Sequence, residues 1–389
     1  MGLSSARPVK SSSGDAISMI ASAVEEYRTT TQAPGVCVSV IDLNVAELAN
    51  GYIYPSGVQN LIAGVPVSEQ TVFQIGSVTK VFTALLTAYA AVQGNVQLSD
   101  KAIGFLTRYP NVNGDSVFDN IELVNLATHT SGIPSMPPHL LGVGEQLFDD
   151  EAPGAAITNY WNEYEGPSTL PNCWLYSDTG FVTLGFAVAG MFKTVAPPGN
   201  NYCELLQQLV TGPLGMNNTS AHPAGNLASG YGFKNGANHP APGIAYDLKS
   251  TGTDMLAFLK ANLKVPGFSV PTELGNAIDL TQTLQGTYPV CNAKNSMSMG
   301  LGWQMPQIPN GSTQVQMFYK NGATGVGGQS CVIEFVPEDG LGIAVLTNQY
   351  PNDAVKGGPS LLVKAIRTQL TNQSSPDIET EQNIESIDA

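Results

Sequence analysis

The sequence is poor in charged residues and in histidine, and it lacks metal-ligand spacing. Charged residues make up 12% of the 389 residues and hydrophobic residues 42%, which excludes a solvated, disordered chain. The four histidines lie far apart and form neither H-E-x-x-H nor H-x-H, so no metal site and no cofactor are expected. A formal net charge of −15 repels phosphate backbones and anionic membranes. We therefore expect a small-molecule or peptide-like substrate and no nucleic-acid partner.

Long apolar runs and paired cysteine motifs are also missing. No run reaches the ~18 residues that a membrane span needs, and residues 1–15 are too polar for the core of a signal peptide. The five cysteines form no C-x-x-C pair. Because their number is odd, at least one thiol is free or bonded to another chain. Neither the disulfide pairing nor the oligomeric state follows from the sequence.

Apolar periodicity predicts elements at both ends of the chain. A helix is predicted over 16–28 with Asp15 as its N-cap, and a closing helix over 360–370. Strands are predicted over 35–43, 314–319, 329–335 and 341–346. Asp339-Gly340 predicts a hairpin between the last two strands. The terminal segments should therefore build one α/β (α+β) lobe.

The middle of the chain is richer in helix-like segments and in Pro/Gly loops. We interpret 16–85 and 244–370 as a discontinuous α/β lobe, and 86–243 as an inserted, mainly helical lobe. Residues 1–15 and 371–389 are expected to be flexible termini. An active-site cleft between two such lobes is the starting expectation.

The segment "FQIGSVTKVFTALLTAYAA" contains the single S-x-x-K of the chain. Ser77 and Lys80 are three residues apart at the start of a predicted helix, so they share one face. Ser and Lys are common, and an isolated match would more simply mean a solvated lysine. Here, however, apolar residues surround the pair, and burial favours the neutral amine that a general base needs.

Two further motifs contain groups that could assist a nucleophilic serine. "LYSDTGFVTLG" holds Tyr176 and Asp178, although a tyrosine of this kind is more often a core residue. "YKNGATGVGG" places Lys320 and Asn321 at a predicted strand end, where the following glycine would let a substrate approach the backbone. Its near match to G-x-G-x-x-G precedes a strand rather than a helix, so no dinucleotide site is predicted.

The order S-x-x-K, Y-S-D, K-N-G resembles the three motifs of penicillin-binding proteins and serine β-lactamases. The resemblance is closest to class C β-lactamases and the related esterases and D-peptidases. "SEQTVFQIGSVTKVFT", "LATHTSGIP", "AYDLKSTGTDMLAFLKANL", "GLGWQM" and "KNGATGVGGQSCVIEFVPEDGLGIAVLTNQYPN" also look like that family. The resemblance covers about residues 16–370 and implies an antiparallel sheet flanked by helices plus a helical lobe. It also implies a periplasmic or secreted location.

The resemblance implies a role for each matching residue. Ser77 would be the acylated nucleophile, Lys80 its proton acceptor and Tyr176 the proton shuttle. Lys320 would stabilise the negative charge on the tyrosine and would bind a substrate carboxylate. The oxyanion hole would be the backbone amides of Ser77 and Ala323. Further substrate-binding positions would be Asp178, Asn321, Gly322, Tyr246, Asn348 and Asn352.

The sequence departs from the β-lactamase pattern at two positions. Asp178 stands where these enzymes have Asn, and Asn321 where they usually have Thr. An ionised Asp can only accept hydrogen bonds, whereas Asn can donate one to a substrate amide. We therefore expect a hydrolase of β-lactams or related amides and esters. The alternatives are an esterase or D-alanyl-D-alanine-type peptidase with little β-lactamase activity, and a penicillin-binding sensor without turnover. A histidine triad is not expected, because no G-x-S-x-G elbow occurs.

Overall fold

The computed structural model describes residues 15–371, except 110, 114–119, 137–139, 141–142, 150, 165–171, 193–201, 235–236, 242–246, 311 and 352–357. Its helices are α1 (Asp15–Thr31), α2 (Thr79–Val92), α3 (Ile103–Leu106), α4 (Leu123–Ala127), α5 (Val143–Phe148), α6 (Ala155–Glu163), α7 (Asp178–Met191), α8 (Tyr202–Leu206), α9 (Gly252–Asn262), α10 (Thr272–Thr281) and α11 (Pro359–Thr371).

Short strands accompany one larger sheet. The strands are β1 (Gly35–Asp42), β2 (Tyr52–Gly57), β3 (Phe73–Gln74), β4 (Tyr231–Lys234), β5 (Ala237–Pro240), β6 (Lys249–Ser250), β7 (Gly286–Pro289), β8 (Ser296–Met299), β9 (Gln307–Asn310), β10 (Thr313–Gln316), β11 (Phe318–Thr324), β12 (Gln329–Val336) and β13 (Leu341–Thr347). The main sheet has the order β11-β12-β13-β1-β2. All its neighbouring pairs are antiparallel, as the family resemblance implied.

The hairpin between β12 and β13 forms where the sequence predicts it. A single 3-10 turn, Pro337–Asp339, ends at Gly340 with φ of 60°, a left-handed conformation that glycine adopts without penalty. The predicted helices and the first strand are also present, and Asp15 lies inside the first turn of α1.

The strand predicted over 314–319 is wrong as a single element. The chain changes its pairing partner at Met317, which is buried and donates its backbone N–H to the Pro306 carbonyl. Before it, β10 pairs with β9, and after it β11 pairs with β12. β11 also runs five residues beyond the predicted end, through Thr324. Apolar alternation alone could not reveal this switch of partner.

Apolar cores lie on both faces of the main sheet. On one face α1 and α11 pack against residues of β1, β12 and β13. On the other face α9 packs against β1 and β13, and the alternate residues of these strands, such as Cys37 and Ala344, join a core to which α2 and α7 also contribute. The strands are therefore buried on both sides and read as continuous apolar runs. Six of the described helices, α3 to α8, fall in the segment 86–243. The division of the chain into two lobes stays a prediction.

Candidate active site

Ser77 lies in a tight turn between β3 and α2. Gly76–Val78 form a 3-10 turn, called here the nucleophile turn, and α2 starts directly after it. Gly76 has φ of 51°, and a Cβ on it would come within 2.7 Å of the Ala323 amide nitrogen. Only glycine tolerates both the positive φ and the close approach of the Ala323 backbone. The turn therefore holds Ser77 against the edge strand β11.

Two side chains contact the Ser77 hydroxyl, as the motifs predict. Lys80 Nζ donates to Ser77 Oγ at 2.9 Å, and Tyr176 OH lies 2.6 Å from the same oxygen. Lys80 is 8% exposed, whereas Ser77 is only half-buried. A hydroxyl held between an amine and a phenol has two groups available to take its proton.

Asp178 links both of these groups. Its Oδ1 accepts from Lys80 Nζ at 2.5 Å and from Tyr176 OH at 3.2 Å, and its Oδ2 accepts from Ser135 Oγ at 3.2 Å. Burial alone would raise the pKa of this carboxyl, but the Lys80 charge and hydrogen bond, with further contributions from Lys320 and Tyr176, hold it below its ordinary value. Asp178 is therefore ionised at neutral pH.

Lys320 comes from the middle of β11 and not from its end, which corrects the sequence interpretation. It pairs with Ile333 of β12 and is 1% exposed. Its Nζ lies 5.2 Å from the centroid of the Tyr176 ring, and Lys80 Nζ lies 4.9 Å from the same centroid. Two amines therefore flank the tyrosine.

Gly322 brings β11 against the nucleophile turn. A Cβ on Gly322 would lie 2.1 Å from the Ile75 carbonyl oxygen and 2.8 Å from the Ser77 amide nitrogen. The glycine is thus required by the protein's own backbone, and the interpretation that it makes room for substrate was incomplete. This packing places the amides of Ser77 and Ala323 beside one another, the two groups proposed for the oxyanion hole.

His129 belongs to the site, although its spacing in the sequence predicted no functional role for it. It is 2% exposed, and its ring centroid lies 4.6 Å from that of Tyr176. Its Nδ1 accepts the Ser177 amide at 3.0 Å, and its carbonyl accepts the Leu175 amide at 2.8 Å. Burial first, then the Lys320 and Lys80 charges, hold its pKa well below the usual range.

A neutral imidazole is therefore built into the support of Tyr176. His129 accepts hydrogen bonds from the backbone amides on both sides of the tyrosine, and its ring lies against the tyrosine ring. The signal available in the sequence was its place in "LATHTSGIP", a segment that resembles the β-lactamase family.

Other predicted positions are not brought to Ser77. Strand alternation turns Asn321 to the sheet face opposite Lys320, toward the core beneath α1 and α11. Asn348 is fully buried; its amide accepts the Gly35 N–H at 2.7 Å and donates to the carbonyls of Val58 and Gln59. Asn348 is thus a structural residue that joins the start of β1 to the loop after β2, which corrects its assignment to the cleft. Tyr246 and Asn352 lie outside the described residues.

A disulfide lies beside the tyrosine. Cys173 is bonded to Cys291, and the Trp174 amide donates to the Pro289 carbonyl at 2.8 Å. The bond therefore ties the segment leading to Tyr176 to the hairpin of β7 and β8. The remaining cysteines, Cys37, Cys203 and Cys331, form no disulfide among the described residues.

Metal binding and membrane insertion are considered for the described ranges of the chain. Within those ranges, His, Cys, Asp and Glu side chains form no group of three that could hold a metal ion. No helix among the described residues has both the length and the apolar character needed to cross a bilayer.

Comparisons with known proteins agree with this geometry. The family model described as beta-lactamase matches residues 20–365. A beta-lactamase of Pseudomonas fluorescens is 30% identical over 384 residues, covering 88% of this chain and 97% of that protein. A beta-lactamase of Escherichia coli K12 is 29% identical over 359 residues, covering 82% and 86%.

Solved structures share the fold at lower sequence identity. A class C beta lactamase from Rhodobacter sphaeroides superposes with a TM-score of 0.71 at 22% identity, over 90% of this chain and 99% of that one. A beta-lactamase/D-alanine carboxypeptidase from Pseudomonas syringae gives a TM-score of 0.70 at 20% identity, over 93% and 99%. The chain has the fold of class C beta-lactamases, and by sequence it belongs to the beta-lactamase family of serine hydrolases.

Proposed function

We propose that this chain hydrolyses β-lactams or related amides and esters through an acyl-enzyme on Ser77. The observation that carries the proposal is the Ser77 hydroxyl held between Lys80 Nζ at 2.9 Å and Tyr176 OH at 2.6 Å. Both distances allow direct proton transfer.

The acylation step follows from this arrangement. Ser77 Oγ attacks the substrate carbonyl while its proton passes to Lys80, and the carbonyl π electrons move to the oxygen. That oxyanion would lie at the Ser77 and Ala323 amides, which the packing of Gly322 places side by side. Collapse of the intermediate breaks the bond to the leaving group, and Tyr176 supplies the proton that this group needs.

Deacylation would reuse the same groups in the opposite sense. Tyr176 takes a proton from water, the hydroxide attacks the acyl carbonyl, and Ser77 Oγ leaves and is reprotonated through Lys80. Lys320 would stabilise the negative charge on Tyr176 between these transfers, since its Nζ lies 5.2 Å from the tyrosine ring. Lys320 would also attract a substrate carboxylate.

Asp178 supports a second candidate, an esterase or D-peptidase with little β-lactamase activity. Its Oδ1 already accepts from Lys80 and Tyr176, and an ionised carboxylate has no N–H to offer a substrate amide. An ester carbonyl is a weaker hydrogen-bond acceptor than an amide carbonyl, so an ester substrate loses less from this missing donor. The protein from Pseudomonas syringae that shares this fold is a beta-lactamase/D-alanine carboxypeptidase, which supports a D-peptidase as a candidate here.

A penicillin-binding sensor without turnover is the third candidate. The joint presence of Ser77, Lys80, Tyr176 and Lys320 favours an enzyme, because a pure binder does not need the proton-transfer groups.

We propose a periplasmic or secreted location for the protein. The family supports it, and so does the Cys173–Cys291 disulfide, since disulfides persist mainly in oxidising compartments.

A substrate panel separates the three candidates. Nitrocefin, p-nitrophenyl butyrate and a peptide ending in D-Ala-D-Ala are assayed with the parent and with Ser77→Ala. Turnover of nitrocefin that needs Ser77 supports the β-lactamase, and turnover of the ester or peptide alone supports the second candidate. Stoichiometric acylation without turnover of any of the three would contradict an enzyme.

A further inference from the structure

A three-residue segment, Asp247–Lys249, crosses the nucleophile turn. The Ile75 amide donates to the Leu248 carbonyl at 3.0 Å, and the Leu248 amide donates to Thr79 Oγ1 at 3.1 Å. Between these two contacts the Gly76 N–H lies close enough to the side-chain carboxyl of Asp247 to lower its pKa. The backbone before and after the turn is therefore held by this one segment.

The carboxyl of Asp247 is not used by the mechanism described above. It is 8% exposed, and its Oδ1 has no hydrogen-bond partner among the described residues. Burial raises its pKa to about 7, although the charges of Lys249 and Lys80 and the Gly76 N–H act in the opposite direction. Lys249 does not neutralise it by direct contact, since the amine donates to the backbone carbonyl of Asp247 at 2.9 Å.

The titratable groups around this carboxyl come from three elements. Lys80 projects from α2, Lys249 from β6 and Cys331 from β12, and burial together with Asp247 raises the pKa of the Cys331 thiol. Beyond Lys80 lies its partner Asp178, in α7. Lys80 is thus influenced by two carboxyls, one in contact with it and one beneath the nucleophile turn.

We propose that Asp247 is a positioning residue for the serine chemistry, which fixes the nucleophile turn through the Gly76 amide and supplies a second negative charge to Lys80. The inference rests on the proposed function. Above neutral pH the ionised carboxylate favours the ammonium form of Lys80 and opposes its action as a base. Below neutral pH the carboxyl takes a proton from water, and Asp178 remains as the counter-charge.

The two contributions are separated by two substitutions. Asp247→Asn keeps an acceptor oxygen for the Gly76 amide and removes the charge. We expect kcat/KM to rise roughly threefold above pH 7, where the parent carboxylate is ionised, and to change little below pH 6, where the parent carboxyl is already neutral. Because Asp247 contacts the turn and not the reacting atoms, nitrocefin and p-nitrophenyl butyrate should shift equally. Asp247→Leu removes the acceptor as well and should lower kcat at least about tenfold at all pH values.

Asp254→Asn is the matched control. Asp254 is also a buried carboxyl with a raised pKa, caused by burial, but it accepts from the Asn218 amide and Thr219 Oγ1, both at 2.8 Å. Its substitution should leave the pH profile of activity in place. A shift as large as that of Asp247→Asn would overturn the assignment, because any buried charge would then have the same effect.

Two measurements do not depend on the choice of substrate. The first is the rate at which a fluorophosphonate labels Ser77 as a function of pH, which should shift in Asp247→Asn as the activity does. The second is urea unfolding against pH. Since folding raises the pKa of Asp247, the parent should lose stability relative to Asp247→Asn as the pH rises from about 4 to 7.

The outcomes distinguish this inference from the proposed function. A missing stability difference would show that Asp247 does not titrate in this range and would overturn the inference. The inference would also be overturned if the parent and Asp247→Asn differed in stability as expected but had the same pH profile of Ser77 labelling. Asp247 would then have only a structural role. A shifted labelling profile in a protein that hydrolyses none of the substrates would support the positioning role and contradict the proposed function.

Discussion

Oδ1 of Asp178 lies 2.5 Å from Nζ of Lys80 and 3.2 Å from the hydroxyl of Tyr176. One carboxylate oxygen therefore joins the two groups that contact the Ser77 hydroxyl. The Asn expected at this position could hold the same two groups, but it would carry no charge and would have an N–H to spare. The substitution changes both the proton affinity of the site and its donors.

Asp178→Asn should raise the kcat/KM of nitrocefin relative to p-nitrophenyl butyrate about fivefold to tenfold, from one added hydrogen bond of about 1 kcal/mol. The acid limb of the pH–rate profile should also move to lower pH, because the ammonium form of Lys80 loses its counter-charge. Both substrates are measured from pH 4 to 9 in parent and variant.

Ser135→Ala is the control for this prediction. It removes the hydrogen bond to Oδ2 of Asp178 but keeps the carboxylate, so the acid limb should stay in place. If Asp178→Asn leaves both the substrate ratio and the acid limb unchanged, Asp178 has no influence on the chemistry and its contact with Lys80 is only structural.

His129 should make folding stability depend on pH. Its pKa in the folded protein lies well below the ordinary value of 6.5, because of burial and then the Lys320 and Lys80 charges. Its contribution is therefore fully present above pH 6.5 and is lost as the pH falls toward the folded-state pKa, at up to about 1.4 kcal/mol per pH unit. His129→Asn keeps an acceptor for the Ser177 amide and should remove this slope.

Urea unfolding between pH 4 and 8 measures the effect. His222→Asn is the control, since the His222 side chain is 71% exposed and pairs with Asp149 at the surface; its slope should match that of the parent. Parallel stability curves for parent and His129→Asn would show that His129 is not held neutral by the fold.

The S-x-x-K spacing predicted the contact between Ser77 and Lys80, since three residues on one helical turn fix their relative direction. The family motifs added Tyr176 and Lys320, whose place in the site depends on contacts distant in the chain. The sheet face on which Asn321 lies could not be predicted from the sequence. It depends on the pairing of β11 with β12, and the predicted strand ended before Asn321.

His129 and Asp247 were missed for a related reason. Neither has a local spacing that marks it, and each reaches the site through a backbone amide elsewhere in the chain, of Ser177 and of Gly76. The prediction for Asn348 was wrong in the opposite way. Its position near the family's motifs suggested a cleft residue, but its side chain completes the backbone hydrogen bonding of Gly35, Val58 and Gln59.

Hydrolysis should survive removal of metal ions, because the proposed proton acceptors are Lys80 and Tyr176. The protein is incubated with EDTA, passed through a desalting column and assayed against an untreated sample, with less than about twofold change expected. Loss of activity that zinc restores would contradict the serine mechanism and would require a metal-activated water.

The most direct test of the central claim is intact-mass spectrometry after exposure to a fluorophosphonate or a β-lactam, with peptide mapping of the adduct. One added group on Ser77 is expected, absent from Ser77→Ala and present in Ser135→Ala. Turnover in Ser77→Ala should fall at least ~1,000-fold, the scale seen when a hydrolase loses its nucleophile but keeps its oxyanion hole. Equal labelling of Ser77→Ala and the parent would place the nucleophile elsewhere and contradict the assignment of Ser77.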